Sequence, residues 1–196
     1  MSHQPLITPA DLMVQLGSAL GVILLDVRWR LGADDPRGEY AVAHIPGARY
    51  VDLEGDLSGP PDEQGGRHPL PSMEQFTRTA AGWGVRPGSP VVVYDDNGGM
   101  SAARAWWLLR WIGHEPVQVL DGGLGAWLAA GGPVTTDAQT WEPAPPAGVH
   151  GRSSMPTVDA DEIVDGRVDV LLDARATARF RGDEEPIDRV AGHIPG

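Results

Sequence analysis

Residues Val91 to Ile112 read VVVYDDNGGMSAARAWWLLRWI. Val91 to Tyr94 is a continuous apolar run, mostly β-branched, with the length and composition of a buried strand. Ser101 to Ile112 is strongly apolar at helical length, and Gly113 ends it. Between them lies a short polar loop with two glycines. The same succession extends in both directions. Val22 to Val27 (VILLDV) is a second buried strand, and His44-Ile45-Pro46-Gly47-Ala48 a turn into a short strand at Arg49 to Asp52. Ser72 to Trp83 is a capped helix with Met73, Phe76 and Ala80 on one face. Pro116 to Leu120 is a strand and Gly125 to Ala130 a helix. Near the start, Thr8 caps a short helix with Pro9 in its first position. Strands alternating with helices across short loops predict an α/β fold: an open, mainly parallel sheet with helices on both faces.

Composition narrows the function. The chain has 196 residues, 41% of them hydrophobic, with 7 tryptophans. That is enough for a sizeable core without disulfides or metal. There is no cysteine, which excludes a thiolate zinc site, an iron–sulfur cluster and a cysteine nucleophile within these residues. A net charge of −12 argues against a nucleic acid or an anionic membrane as partner. No apolar run approaches the ~18 residues of a spanning helix, and the N-terminus has no secretory pattern. A soluble cytoplasmic protein is expected.

An internal repeat organises the rest. Val22-Ile23-Leu24-Leu25-Asp26-Val27-Arg28 is echoed by Asp169-Val170-Leu171-Leu172-Asp173-Ala174-Arg175. Ala43-His44-Ile45-Pro46-Gly47 is echoed by Gly192-His193-Ile194-Pro195-Gly196. The offsets are 147 for the aspartates and 149 for the histidines. Residues 132–156, rich in Pro, Gly, Ser and Thr, separate the copies and read as a linker. After them, Val158 to Val164 is predicted helical and Val168 to Leu172 a strand. The expected domains are 1–131, complete, and 157–196, the first part of a duplicate.

In combination these motifs resemble the two-domain rhodanese-type sulfurtransferases, over nearly the whole chain. LLDVR…AHIPGA, VVVYDDNGGMSAARAWWLLRWIGH and VQVLDGGLGAWLAAGGPV are similar to their N-terminal domain. LLDARATARFRGDEEPIDRVAGHIPG is similar to the opening of their catalytic C-terminal domain. The resemblance implies tandem rhodanese-like domains, the second incomplete here. It also implies transfer of sulfane sulfur from thiosulfate or 3-mercaptopyruvate to cyanide or a thiol through a cysteine persulfide. The implied partners are therefore a small-molecule sulfur donor and acceptor. The implied nucleophile loop is Asp96, Asn97, Gly98, Gly99, Met100 and Ser101, with Asp96 at the cysteine position and able to fill the loop's nest of N–H groups. A carboxylate forms no persulfide, so the first domain is expected to be silent. In the second copy the cysteine is expected near residue ~245, outside this chain. Arg179 matches the family arginine that binds the anionic substrate, a task suited to the guanidinium fork.

Plainer roles stand beside these. Asp26–Arg28 and Asp173–Arg175 are expected to tie the loops after their strands. His44 and His193 lack metal-ligand spacing and read as turn residues; neither a metal nor a cofactor is expected. Asp95 and Asp96, adjacent at a strand end, point opposite ways, which argues against shared acid–base work. Trp106, Trp107, Trp111 and Trp127 read as packing, with 107 and 111 on one helical face. Asp183, Glu184 and Glu185 read as a solvated acidic run. The rival functions are a non-catalytic rhodanese-like interaction or regulatory module, a phosphatase, and a metal-dependent hydrolase.

Overall fold

The computed structural model describes residues 4–18, 21–30, 32, 35–61, 66–137, 140–145 and 154–195. Of the expected linker, residues 138–139 and 146–153 lie outside the described residues, as does Gly196 of the second HIPG motif. Contacts divide the chain into two units, Met1–Pro156 and Thr157–Gly196.

The first unit runs β1 (Leu6–Ile7), α1 (Pro9–Leu16), β2 (Ile23–Asp26), α2 (Pro36–Val42), β3 (Ala48–Tyr50), α3 (Met73–Gly82), β4 (Val91–Tyr94), α4 (Met100–Trp111), β5 (Val117–Leu120) and α5 (Gly123–Ala129). The strands form one sheet in the order β1-β5-β4-β2-β3, every pair parallel. Leu24 pairs with Val92, and Val92 with Gln118. Successive side chains alternate between faces, and each face has its own core. Leu25, Val91 and Val93 pack with Phe76, Ala80, Leu108 and Leu109 of α3 and α4. Leu24, Val92 and Tyr94 pack with Leu12, Leu124 and Trp127 of α1 and α5. Helices therefore cover both faces, and β2 and β4 are buried along their whole length. Each wholly buried Leu or Phe contributes roughly 1.5–3 kcal/mol.

The helix starts follow from their caps. Thr8 Oγ accepts the Asp11 N–H at 3.1 Å, and Ser72 Oγ the Gln75 N–H at 3.1 Å. In the HIPG turn, the Ala48 N–H returns to the Ile45 carbonyl at 2.9 Å. Pro46 supplies the bend and Gly47, at φ 84°, the left-handed corner. Two short elements carry no period and escape a sequence reading. One is β1, only two residues long; the other is α2, started by Asp35 as cap and Pro36 in the first position.

The second unit holds α6 (Ala160–Val164) and α7 (Thr177–Arg181). A capping box between Asp159 and Glu162 starts α6. The expected strand at Val168 to Leu172 does not form. A strand is defined by its neighbours' N–H and C=O groups, and among the described residues none runs beside this segment. Two of its apolar residues stand largely in solvent, Val170 70% and Leu172 85% exposed. No helix among the described residues is long and apolar enough to cross a membrane.

Candidate functional site

In an all-parallel sheet the loops at the C-terminal strand ends share one edge, where ligands bind in this architecture. Beneath that edge lies a polar network at the ends of β2 and β4. Asp26 is wholly buried and Arg28 nearly so. The Arg28 guanidinium meets the Asp26 carboxylate at 2.7–3.2 Å and donates to the carbonyls of Glu39 at 3.2 Å and Ala43 at 2.6 Å. This is the loop-tying role expected of the pair. Burial raises the Asp26 carboxyl above its ordinary range, and Arg28 pulls it back only in part. The Tyr94 hydroxyl accepts the Ile45 N–H at 3.1 Å, and burial pushes its pKa up, so it stays protonated.

Above this network, the loop after β4 wraps around one carboxylate. Asp95 is 1% exposed. Its Oδ1 accepts the N–H groups of Gly99 at 2.9 Å and Asn97 at 3.3 Å. Its Oδ2 accepts those of Ser101 at 3.0 Å and Ala102 at 2.9 Å. Those of Gly99, Ser101 and Ala102 are among the donors that open α4, whose N-cap Gly99 offers no side chain. The anion at the focus of the nest is therefore Asp95, and the expectation that Asp96 fills it is corrected. Side chains alternate at a strand end, so one step along the chain turns Asp96 outward. There it forms an ion pair with Arg30, which also holds Glu39 at 2.6 Å. Asn97 bridges the Trp29 carbonyl at 3.0 Å and Ser101 Oγ at 2.9 Å. Gly98 and Met100 are exposed, Met100 by 72%.

The start of α5 closes the edge. The Leu124 N–H donates to the Asp95 carbonyl at 2.8 Å. Gly123 has φ 58°, and a Cβ there would stand 2.3 Å from that same carbonyl oxygen. Only glycine lets the Asp-Gly-Gly turn approach so closely. Four positions on, Trp127 is buried and its indole N–H reaches the Pro133 carbonyl at 2.8 Å. Trp107 and Trp111 stack at 5.9 Å on one face of α4, while Trp106 donates elsewhere, to the Val117 carbonyl at 3.1 Å.

The second unit reuses the same local chemistry. Arg175 forks onto Asp173 at 2.6–3.0 Å and donates to the Gly192 carbonyl at 2.6 Å, as Arg28 does to Ala43. The His44 ring stacks on Tyr40 at 3.9 Å, with Nδ1 2.8 Å from the Tyr40 carbonyl. The His193 ring stacks on Phe180 at 3.9 Å, with Nδ1 2.7 Å from the Phe180 carbonyl. Matching Tyr40 to Phe180 places Glu39 opposite Arg179, so the two units carry opposite charges at that position. Among the described residues no group of His, Asp and Glu could hold a metal ion.

Arg179 is anchored in detail. Its Nε and one terminal nitrogen grip Glu185 at 2.9–3.2 Å, and the same terminal nitrogen reaches Asp188 at 2.7 Å. Glu185 also accepts the N–H groups of Asp188 at 2.9 Å and Ile187 at 3.1 Å. Those backbone donors and Arg179 lower its pKa to about 2. Its side chain is 6% exposed, so it leaves the solvated acidic run to which the sequence assigned it, while Asp183 and Glu184 remain exposed. The sequence reading missed three participants: Asp95 as the anchor of the loop, Arg30 with Glu39 as the outer ion pair, and Glu185 as the holder of Arg179. Only the spacing of Asp95 ahead of the α4 N-terminus hinted at the first.

Comparison with known proteins agrees with this architecture. Residues 8–130 match the rhodanese-like domain family. A Mycobacterium tuberculosis protein named as a thiosulfate sulfurtransferase, SseB, is 44% identical over 98% of this chain and 69% of its own length. A Pseudomonas aeruginosa protein named as a 3-mercaptopyruvate sulfurtransferase is 44% identical over 100% of this chain and 70% of its own. Among solved structures, the 3-mercaptopyruvate sulfurtransferase of Leishmania major superposes with a TM-score of 0.79 at 27% identity, over 97% of this chain and 52% of that one. SseA of Escherichia coli gives 0.73 at 27% identity, over 99% and 73%. The chain belongs to the rhodanese-like domain family, among its thiosulfate and 3-mercaptopyruvate sulfurtransferases.

Proposed function

We propose that this chain serves transfer of sulfane sulfur from thiosulfate or 3-mercaptopyruvate to cyanide or a thiol, and that it supplies scaffold and substrate binding rather than the sulfur-carrying group. In this reading 1–131 is a catalytically silent domain, 132–156 a linker, and 157–196 the opening of the domain whose cysteine carries the persulfide. The partners are a small-molecule donor and acceptor, and the setting is the cytoplasm. The observation that carries the reading is the Asp95 carboxylate at the focus of four loop N–H groups. Such a cradle stabilises a thiolate or persulfide anion at the head of a helix. Here it is filled by a group that cannot accept sulfur. Arg30 beside it is neutralised by Asp96 and Glu39, which leaves it no charge for an anionic donor.

Arg179 is the donor's anion site in this proposal, held ready by Glu185. Since the sequence has no cysteine, purified chain given thiosulfate and cyanide should form no thiocyanate above a protein-free blank. Thiocyanate above the blank would overturn the division of labour. The same filled cradle also favours a second reading, a non-catalytic rhodanese-like interaction or regulatory module. In that case thiosulfate and 3-mercaptopyruvate would show no binding that depends on Arg179.

A further inference from the structure

A cavity of about 660 Å³ opens in the first unit beside the edge strand β3, and no residue of the loop after β4 lines it. That volume suits a small molecule. Tyr50, Trp83 and Trp141 give it aromatic walls. Trp141 is fixed by its indole N–H, which donates to the Gly82 carbonyl at 2.7 Å. Trp83 is 5% exposed, yet no acceptor among the described residues meets its indole N–H. Buried donors are ordinarily paired, and the cavity is the side from which a partner reaches this one.

Both signs of charge line the same space. The Arg37 guanidinium lies 5.9 Å from the centre of the Tyr50 ring and forms no ion pair with a described residue. Asp52 and Asp56 sit in the loop after β3, and each spends one oxygen on backbone. Asp52 Oδ1 accepts the N–H groups of Glu54 at 2.9 Å and Gly55 at 3.2 Å, and Asp56 Oδ2 accepts that of Asp52 at 2.9 Å. The second oxygen of each meets no donor among the described residues. Asp35, a third lining carboxylate, caps α2 through the Gly38 N–H at 2.8 Å. Burial raises the Asp56 carboxyl above its ordinary range, the Asp52 charge adds to the rise, and Arg37 offsets it only in part. Among the described residues no group of carboxylates could hold a metal ion, so the cation that suits this loop is organic.

We propose that this cavity binds a free amino acid with an apolar side chain. Its ammonium group meets Asp52 and Asp56, its carboxylate meets Arg37 and the Trp83 N–H, and its side chain lies against the aromatic walls. A simple cation leaves Arg37 unanswered, and a simple anion faces the carboxylates; a zwitterion satisfies both signs. Each charge-assisted hydrogen bond in a half-buried site is worth roughly tenfold in affinity.

Three probes that share one side chain test this. L-Phenylalanine, phenethylamine and 3-phenylpropionate are titrated calorimetrically into the 196-residue chain and its Arg37→Gln, Asp56→Asn and Arg179→Gln variants. The parent chain should bind phenylalanine about tenfold tighter than phenethylamine, and 3-phenylpropionate weakest, because the carboxylates outnumber the guanidinium. Arg37→Gln should erase the preference for phenylalanine over phenethylamine. Asp56→Asn, whose amide oxygen can keep the bond to the Asp52 N–H, should narrow the preference over 3-phenylpropionate. Arg179→Gln, in the other unit, should change nothing. Phenethylamine binding as tightly as phenylalanine overturns the zwitterion. Binding that ignores both Arg37→Gln and Asp56→Asn, binding that depends on Arg179, or no binding of any probe to the parent chain overturns the site.

Discussion

Arg28→Leu isolates the buried pair on which the sheet edge rests. Leucine fills much of the space of the arginine stem. It leaves the Asp26 carboxylate buried without its cation, and the Glu39 and Ala43 carbonyls without a donor. Removing one partner of a buried pair costs about 3–5 kcal/mol, a large share of a stability of roughly 5–15 kcal/mol. At about 2–4 °C per kcal/mol for a chain of this size, Tm falls by about 10 °C. The pH dependence identifies the cause. Burial already raises the Asp26 pKa, and Arg28 is the main influence lowering it. Without Arg28 the folded-state pKa rises further. A group whose folded pKa lies above its unfolded value stabilises the fold at low pH and loses that contribution as pH rises through the folded pKa. The deficit of Arg28→Leu is therefore greatest near neutrality and narrows as pH falls toward the unfolded carboxyl range at about 4. Urea unfolding followed by tryptophan fluorescence at several pH values measures it, with an unchanged m-value as the check on the unfolded state. A deficit equal at every pH would refute the electrostatic reasoning and leave the two carbonyl bonds as the whole effect.

The two neighbouring aspartates should behave differently. Asp95→Ala leaves buried backbone N–H groups of the loop without their acceptor and should cost about 3 kcal/mol; Asp96→Ala breaks a partly exposed pair and should cost about 1 kcal/mol or less. Urea midpoints in the reverse order would restore Asp96 as the anchor of the nest. In the second unit, Asp173 and Glu185 both have pKa values lowered to about 2, Asp173 chiefly by Arg175 and Glu185 by backbone N–H groups and Arg179. Depressed carboxylates stabilise the fold above their unfolded pKa and lose that contribution as pH falls through the folded value. The stabilisation should thus hold down to about pH 4 and decline toward 2. Carboxyl carbon shifts by NMR give the midpoints directly, and values near 4 for both would show that these pairs do not form in solution.

Much of the first unit is legible in the chain because buried parallel strands announce themselves. ILL of β2 and VVVY of β4 run apolar without alternation since both faces of the sheet are covered, and only Asp26 at the end of β2 is charged. The starts of α1 and α3 follow from Thr8 and Ser72, because capping is local chemistry. Local rules fail where partners decide. Val168 to Leu172 has the composition of β2 and forms no strand, because composition cannot supply the neighbouring backbone that a strand needs. In β1 the reverse holds. Two residues without a pattern become a strand because β5 lies beside them, with Leu6 opposite Val119.

The site divides along the same line. The sequence by itself determined the family, the absence of a thiol, the loop after VVVYD and the arginine of the ARF motif, since these are matters of which groups are present and in what order. Only the tertiary structure decided which aspartate the loop encloses, that Arg30 is held between Asp96 and Glu39, and that Glu185 rather than solvent meets Arg179. Each of those outcomes turns on the direction of a side chain within a few ångströms of its partners. That direction is set by the packing of strand, loop and helix together, which no single stretch of the chain contains.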